Sequence, residues 1–325
     1  PGAAETTRLA ANEVVTDAAS APLPRPGTEF DAALEAAVKR FQARHGLNQD
    51  GLVGPATLAA LNTRARTRLR QAAVNLERMR WLNRPLGRRH VRVNLADFRV
   101  SLVEAGRTVF TARTVVGRAN RHETPEFSDE IEHMVVNPEW HVPASIARNE
   151  ILPELKEDPG YLASRNMRLE GTERPASMID WQEVTPGSFP GRVTQAPGDS
   201  NALGRVKFMF PNRHSIYLHD TPSKHLFARD RRAYSHGCIR VQDAFAFAHA
   251  LLAPQADDPE AAFARWLESG RQTWVHLEEH VPVHITYRTV RVAPDGTEHF
   301  RADIYGRDRT VAEALRDAGV AIPGA

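Results

Sequence analysis

Ile216-Tyr217-Leu218-His219 and, after fifteen intervening residues, Ser235-His236-Gly237-Cys238-Ile239-Arg240 are the two segments whose reading decides this chain. In each, apolar and polar residues alternate, as on a strand with one face turned to a core. Alternation puts Tyr217 and His219 on one face of the first strand, and Cys238 and Arg240 on one face of the second. Cys238 is the sole cysteine in 325 residues, so it has no intramolecular disulfide partner. Three readings of it compete. It is the nucleophile of an acyl-transfer enzyme, a buried structural thiol with satisfied histidines beside it, or a zinc ligand with His219 and His236. Against zinc stands the lack of a second cysteine pair or a His-Glu helix.

The nucleophile reading makes chemical demands that neighbouring residues meet. A thiol with a pKa of roughly 8.5 is mostly protonated at neutral pH and needs a base. His219, on a separate strand able to pair beside the cysteine strand, is one candidate. His236 is the other, although positions two apart share a face without a guaranteed hydrogen bond. Gly237 lets backbone N–H groups approach a developing oxyanion. The Arg240 guanidinium suits a bidentate grip on a substrate carboxylate.

Further alternating segments surround this pair. His90 to Leu95, Arg99 to Val103, Val109 to Val116, Ile131 to Val136, Val206 to Phe210, Ser215 to His219 and Val281 to Val292 read as strands. Asp243 to Leu252 and Pro259 to Gly270 read as helices. From Trp140 to Gly204 the strand pattern stops. A helix over Ser145 to Lys156 is followed by a Pro- and Gly-broken stretch, long enough to be a functional lid or a disordered segment. Its aromatics Tyr161, Trp181 and Phe189 favour the ordered lid.

Toward the N-terminus, residues 1–28 are an Ala/Thr/Pro-rich lead-in and linker. Leu34, Val38 and Phe41 recur at helical spacing and Gly46 closes that helix. Gly54-Pro55 opens a second helix, to which Leu58 and Leu61 are expected to give a buried face. A third, Arg64 to Leu82, is expected to bury a stripe of Leu69, Ala72, Ala73, Leu76 and Met79.

Composition narrows the classes. Hydrophobic residues make up 42% and charged ones 25%, with 42 Lys and Arg interspersed among 40 Asp and Glu. Such a balance supplies no basic face for nucleic acid. No apolar run approaches the roughly 18 residues of a membrane-spanning helix. The chain begins at Pro1 and so reads as a processed or trimmed product.

These residues carry two resemblances. Ala37-Val38-Lys39-Arg40-Phe41-Gln42-Ala43-Arg44-His45-Gly46-Leu47, Asp50-Gly51 and Gly54-Pro55-Ala56-Thr57-Leu58-Ala59-Ala60-Leu61-Asn62 resemble a small helical peptidoglycan-binding module; an ordinary helical hairpin is the plainer alternative. His219 and Ser235–Arg240 resemble the signature of the L,D-transpeptidase family. Asn201–Asn212, Tyr217–Pro222, Asn75–Trp81, Asn137–Pro143 and Asp303–Asp308 are similar to its large Gram-negative branch. Arg240 stands where many members of the wider family carry Asn.

What the resemblance implies is an α+β protein. A strand-rich L,D-transpeptidase-type catalytic domain over 90–325 carries an inserted capping subdomain at about 141–204. A small all-α peptidoglycan-binding module lies at 29–63 and a linking helix at 64–89. It implies Cys238 as nucleophile and His219 as base, oriented by the backbone carbonyl of Asp220. His236, Gly237 and Cys238 line an oxyanion hole through backbone N–H groups, and Ser235 holds the loop. Arg240 and Tyr217 position substrate, with Trp140 as a cleft wall; strand packing for Tyr217 and a core place for Trp140 stay open. No cofactor or metal is implied. The implied partners are peptidoglycan tetrapeptide stems as donor and acceptor, with carbapenems as covalent inhibitors. The implied location is periplasmic and wall-associated.

Overall fold

Both segments around Cys238 belong to one large sheet. The computed structural model describes residues 30–293 and 295–322, so the lead-in and linker at 1–28 lie outside the described residues. By its contacts the chain divides into two compact units. One holds the N-terminal residues to Leu82 together with those from Arg288 on, and the other is Asn83–Tyr287. The segment 288–322, expected to extend the catalytic domain, thus groups with the N-terminal helices.

In the unit Asn83–Tyr287 the strands are β1 (Arg89–Asn94), β2 (Arg99–Glu104), β3 (Arg107–Gly117), β4 (Phe127–Val136), β5 (Trp140–His141), β6 (Met167–Glu170), β7 (Arg192–Gln195), β8 (Val206–Met209), β9 (Leu218–His219), β10 (Ala233–Ser235), β11 (Ile239–Val241) and β12 (Thr273–Thr286). Nine of them form a sheet in the order β10-β3-β11-β9-β8-β4-β12-β1-β2, and β2 also pairs with β3. That last pairing closes eight of the strands on themselves and leaves β10 as a short edge strand on β3. Val206, Phe208, Leu218, Ile239 and Val241 are fully buried on one face. Against them packs the helix Ala244–Leu252, whose Phe247 ring sits 4.7 Å from that of Phe208. Alternation then sends Lys207, Tyr217, His219, Cys238 and Arg240 to the opposite face.

The strand expected from Ser215 is only two residues long. Asn212 explains this: its side chain accepts from the N–H groups of His214 and Ile216 and donates to the carbonyls of Phe210 and Ile216. Those bonds take backbone groups that a longer ladder would use.

Strands do not stop between Trp140 and Gly204, contrary to expectation. β5, β7 and β6 form a small three-stranded sheet there. Strands of two to four residues are too short for a periodic signal. This insertion has its own core of Val142, Ala147, Ile151, Leu152, Leu155, Leu162, Trp181 and Val193. Its helical segment runs from Ala144 to Glu157 with a π turn over Ala147–Ile151. Pro153 accounts for the widened turn, because its ring crowds the carbonyl four residues back and offers no N–H.

In the other unit, α1 (Ala32–His45) is capped by the Asp31 carboxylate, which accepts the Leu34 N–H at 2.8 Å, and ends at Gly46 with φ 69°. Buried Gln42 ties α1 to the turn at Asp50–Leu52. It donates to Asp50 at 2.8 Å and to the Leu52 carbonyl at 2.9 Å, and it accepts the Gly51 N–H at 2.9 Å. Leu58 and Leu61 of α2 (Pro55–Leu61) are about half exposed instead of buried. The third helix, α3 (Ala65–Trp81), also turns the other way from expectation: it buries Gln71, Val74, Asn75 and Arg78 and leaves Leu69, Leu76 and Met79 exposed. The physical reason is satisfaction of buried backbone. Gln71 donates to the carbonyls of Thr289 and Arg301, Asn75 pairs with the Thr289 N–H and hydroxyl, and Arg78 pairs with Asp308.

Candidate active site

Three adjacent strands carry the site as a small grid. β9 pairs parallel with β11, setting His219 opposite Arg240, and antiparallel with β8, setting His219 opposite Lys207. One row across the sheet is therefore Lys207, His219, Arg240. Tyr217 and Cys238 lie one alternation step away on the same face, and the Ile239 N–H donates to the Tyr217 carbonyl at 3.0 Å.

The loop before β11 is braced from both sides. The buried Ser235 hydroxyl donates to the Cys238 carbonyl at 2.6 Å and accepts the Gly237 N–H at 3.1 Å. Thr124 donates to the Gly237 carbonyl at 2.7 Å. Gly237 has φ 120°, and a Cβ there would stand 3.1 Å from Ile216 Cδ1, so a glycine is required. One expectation changes here: with its N–H turned to Ser235, Gly237 does not present that group to an oxyanion.

Cys238 keeps partial exposure, and its Sγ lies 3.6 Å from the Ser215 carbonyl. Desolvation raises its pKa, while hydrogen bonding from Tyr217 and the charges of Arg240 and Lys207 pull the other way. Tyr217 is pushed far above the ordinary phenol range, first by burial and then by Cys238. His219 is buried, and Nδ1 donates to the Asp220 carbonyl at 2.5 Å. That bond assigns the proton to Nδ1 and leaves Nε2 as the basic nitrogen. Burial, then Arg240, and more weakly Lys207 lower its pKa to about 3, against the backbone bonds to Asp220 and Leu203. The ring is neutral at physiological pH. The Asp220 carboxylate accepts the Arg205 N–H and pairs with Lys224. Gly204 (φ 64°) lies so close that any Cβ would strike that carboxylate.

His236 does not join this grid. Its Nε2 meets Glu150 Oε1 at 2.5 Å, and its ring lies 4.5 Å from that of His122. With Arg118, Arg121, Ser145, Ile146 and Asn149 these groups line a cavity of about 570 Å³ between the motif and the insertion. The site does not assemble as the three-ligand zinc alternative requires, and among the described residues no group of three His, Cys, Asp or Glu side chains is arranged to hold a metal ion. Trp140 packs against the insertion's own core, one of the two places open to it. Lys207 escaped sequence reasoning. Its signal was present in the alternation of Val206 to Phe210, but its place beside His219 depends on register.

Residues 88–284 match the family model of the L,D-transpeptidase catalytic domain, and residues 20–61 that of a "putative peptidoglycan binding domain". The chain belongs to the L,D-transpeptidase family. It is 34% identical over 242 residues to a "Putative L,D-transpeptidase" of Haemophilus influenzae, an alignment covering 74% of this chain and 48% of that protein. The chain thus spans about half the length of this relative. Among solved structures, similar chains include an L,D-transpeptidase from Mycobacterium smegmatis (10% identity, TM-score 0.29, 61% of this chain and 58% of that one). Another is an L,D-transpeptidase from Xylanimonas cellulosilytica (17% identity, TM-score 0.26, 81% and 85%). No helix among the described residues is long and apolar enough to cross a membrane.

Proposed function

We propose that this chain forms 3→3 peptidoglycan cross-links through a thioester on Cys238, working in the periplasm at the wall to which its helical module binds. The observation that carries this reading is the single face shared by Cys238, Tyr217, His219 and Arg240 on paired strands. Cys238 attacks the carbonyl of the third stem residue, a diaminopimelate, and neutral His219 takes the thiol proton. An imidazolium buried beside Arg240 and Lys207 is a strong acid, so it passes the proton on to the departing D-Ala amine. Because burial disfavours the resting thiolate, deprotonation accompanies attack instead of preceding it. The N–H groups of His236 and Cys238 are left to receive the oxyanion, and Ser235 holds their loop. Tyr217 steadies the sulfur. The diaminopimelate amine of a second stem then resolves the thioester. No step calls for a cofactor, and carbapenems acylate the same thiol.

Products from disaccharide-tetrapeptide, with wild type and Cys238→Ala, test the reading. Wild type yields cross-linked dimer and a carbapenem adduct visible by intact mass. Cys238→Ala yields neither and loses about four orders of magnitude or more in rate. Equal products or adducts from the two proteins would overturn it.

A further inference from the structure

Two half-buried cations share the face of the thiol, and among the described residues no carboxylate is paired with either. Arg240 Nε is buried and has no hydrogen-bond partner. The Lys207 ammonium lies 5.9 Å from the centre of the Tyr217 ring. For both side chains, Cys238 is the one ionisable group among the described residues that favours the charged form, and desolvation opposes both charges. Uncompensated buried charge is costly. A site that carries two such charges on either side of one histidine is built to receive an anion.

Building on the proposed function, we propose that Lys207 and Arg240 form a carboxylate clamp that selects both the leaving group and the acceptor. Each must carry a carboxylate on the carbon that bears the reacting nitrogen. The geometry is set by His219. In the first half-reaction the thiol S–H and the peptide C–N bond break, the S–C bond forms, and the proton moves through His219 to the leaving nitrogen. The product is H₂N–CHR–COO⁻, whose carboxylate is two bonds from that nitrogen. A nitrogen held at His219 therefore carries its carboxylate into the row Lys207–His219–Arg240.

The second half-reaction is the same step reversed with a new amine. An acceptor N–H proton moves to His219, the S–C bond breaks, the C–N amide forms, and the proton returns to sulfur. The D-centre of a diaminopimelate offers the same amine and carboxylate on one carbon, so one clamp serves both halves in turn. Water and a plain alkylamine lack the carboxylate and lack the grip. A bound carboxylate also neutralises the two charges that oppose protonation of His219, so the base strengthens when the correct group arrives.

The test uses the full chain with disaccharide-tetrapeptide as donor and three acceptors in parallel: isotopically labelled D-alanine, D-alaninamide and ethylamine. Loss of a charge-assisted contact predicts a kcat/KM for D-alanine roughly 10–100-fold above that for D-alaninamide, with ethylamine no better than the amide. Lys207→Met narrows the acid-to-amide ratio to within about threefold, mainly through acceptor KM, and Lys207→Arg restores most of it. Circular dichroism checks that each variant is folded. If Lys207→Met does not fold, the wild-type acid-to-amide ratio alone decides. Equal use of acid and amide by wild type, with Cys238→Ala inert, would overturn the clamp and leave the transpeptidase reading standing. Labelled product from Cys238→Ala, or none from wild type with any amine, would overturn the transpeptidase reading itself.

Discussion

The molecule holds two arginines, buried Arg78 and half-buried Arg240, in opposite conditions. In the N-terminal unit, Arg78 on α3 pairs with Asp308, and Thr289 donates to the same carboxylate at 2.7 Å. At the candidate site, Arg240 and its neighbour Lys207 have no carboxylate partner among the described residues. The first arrangement holds a fold together. The second leaves attraction in reserve for a ligand, at some cost in stability.

The largest test of this contrast is to remove each cation in turn. Arg78→Met leaves the largely buried Asp308 carboxylate without its cation, with Thr289 still donating to it, and is expected to lower unfolding free energy by roughly 3–5 kcal/mol in denaturant titrations. Arg240→Met removes a charge that no carboxylate among the described residues balances and is expected to leave stability unchanged or higher. A loss at Arg240 as large as that at Arg78 would break the comparison.

A second test uses pH. His219 has a folded pKa of about 3 against 6.5 unfolded, so below 6.5 the unfolded chain binds the extra proton. Stability from this group is complete above pH 6.5 and falls as pH drops toward 3, at no more than about 1.4 kcal/mol per pH unit. His219→Gln should lose that slope relative to wild type in unfolding measured from pH 7 to 4. Parallel wild-type and variant slopes would mean that burial and the flanking cations do not hold His219 neutral.

The smallest effect belongs to Gln42, a neutral hub with its bonds satisfied. Gln42→Leu strands the Gly51 N–H, leaves the Leu52 carbonyl only the Thr57 hydroxyl, and is expected to cost about 1–3 kcal/mol. A smaller loss would show that solvent reaches those groups.

Helices are legible in the sequence where apolar spacing and a closing glycine agree, as at Gly46 after α1. The buried face of α3 is not, because the face that packs there is polar. Periodicity scores apolar residues and is blind to Gln71, Asn75 and Arg78 meeting groups more than 200 residues away. The short strands β5, β6 and β7 are hidden for a related reason, since their pairing is non-local and their patterns are two to four residues long.

What the sequence by itself determined is the chemistry on offer. A lone thiol, histidines, a glycine and an arginine alternate on strands, because a side-chain period of two is written in residue order. Only the tertiary structure decided which of these groups meet. Strand register sets Lys207 and Arg240 on either side of His219. The packed insertion draws His236 away to Glu150, and the Ser235 hydroxyl takes the Gly237 N–H. Register and docking depend on contacts between distant segments, and no local pattern encodes them.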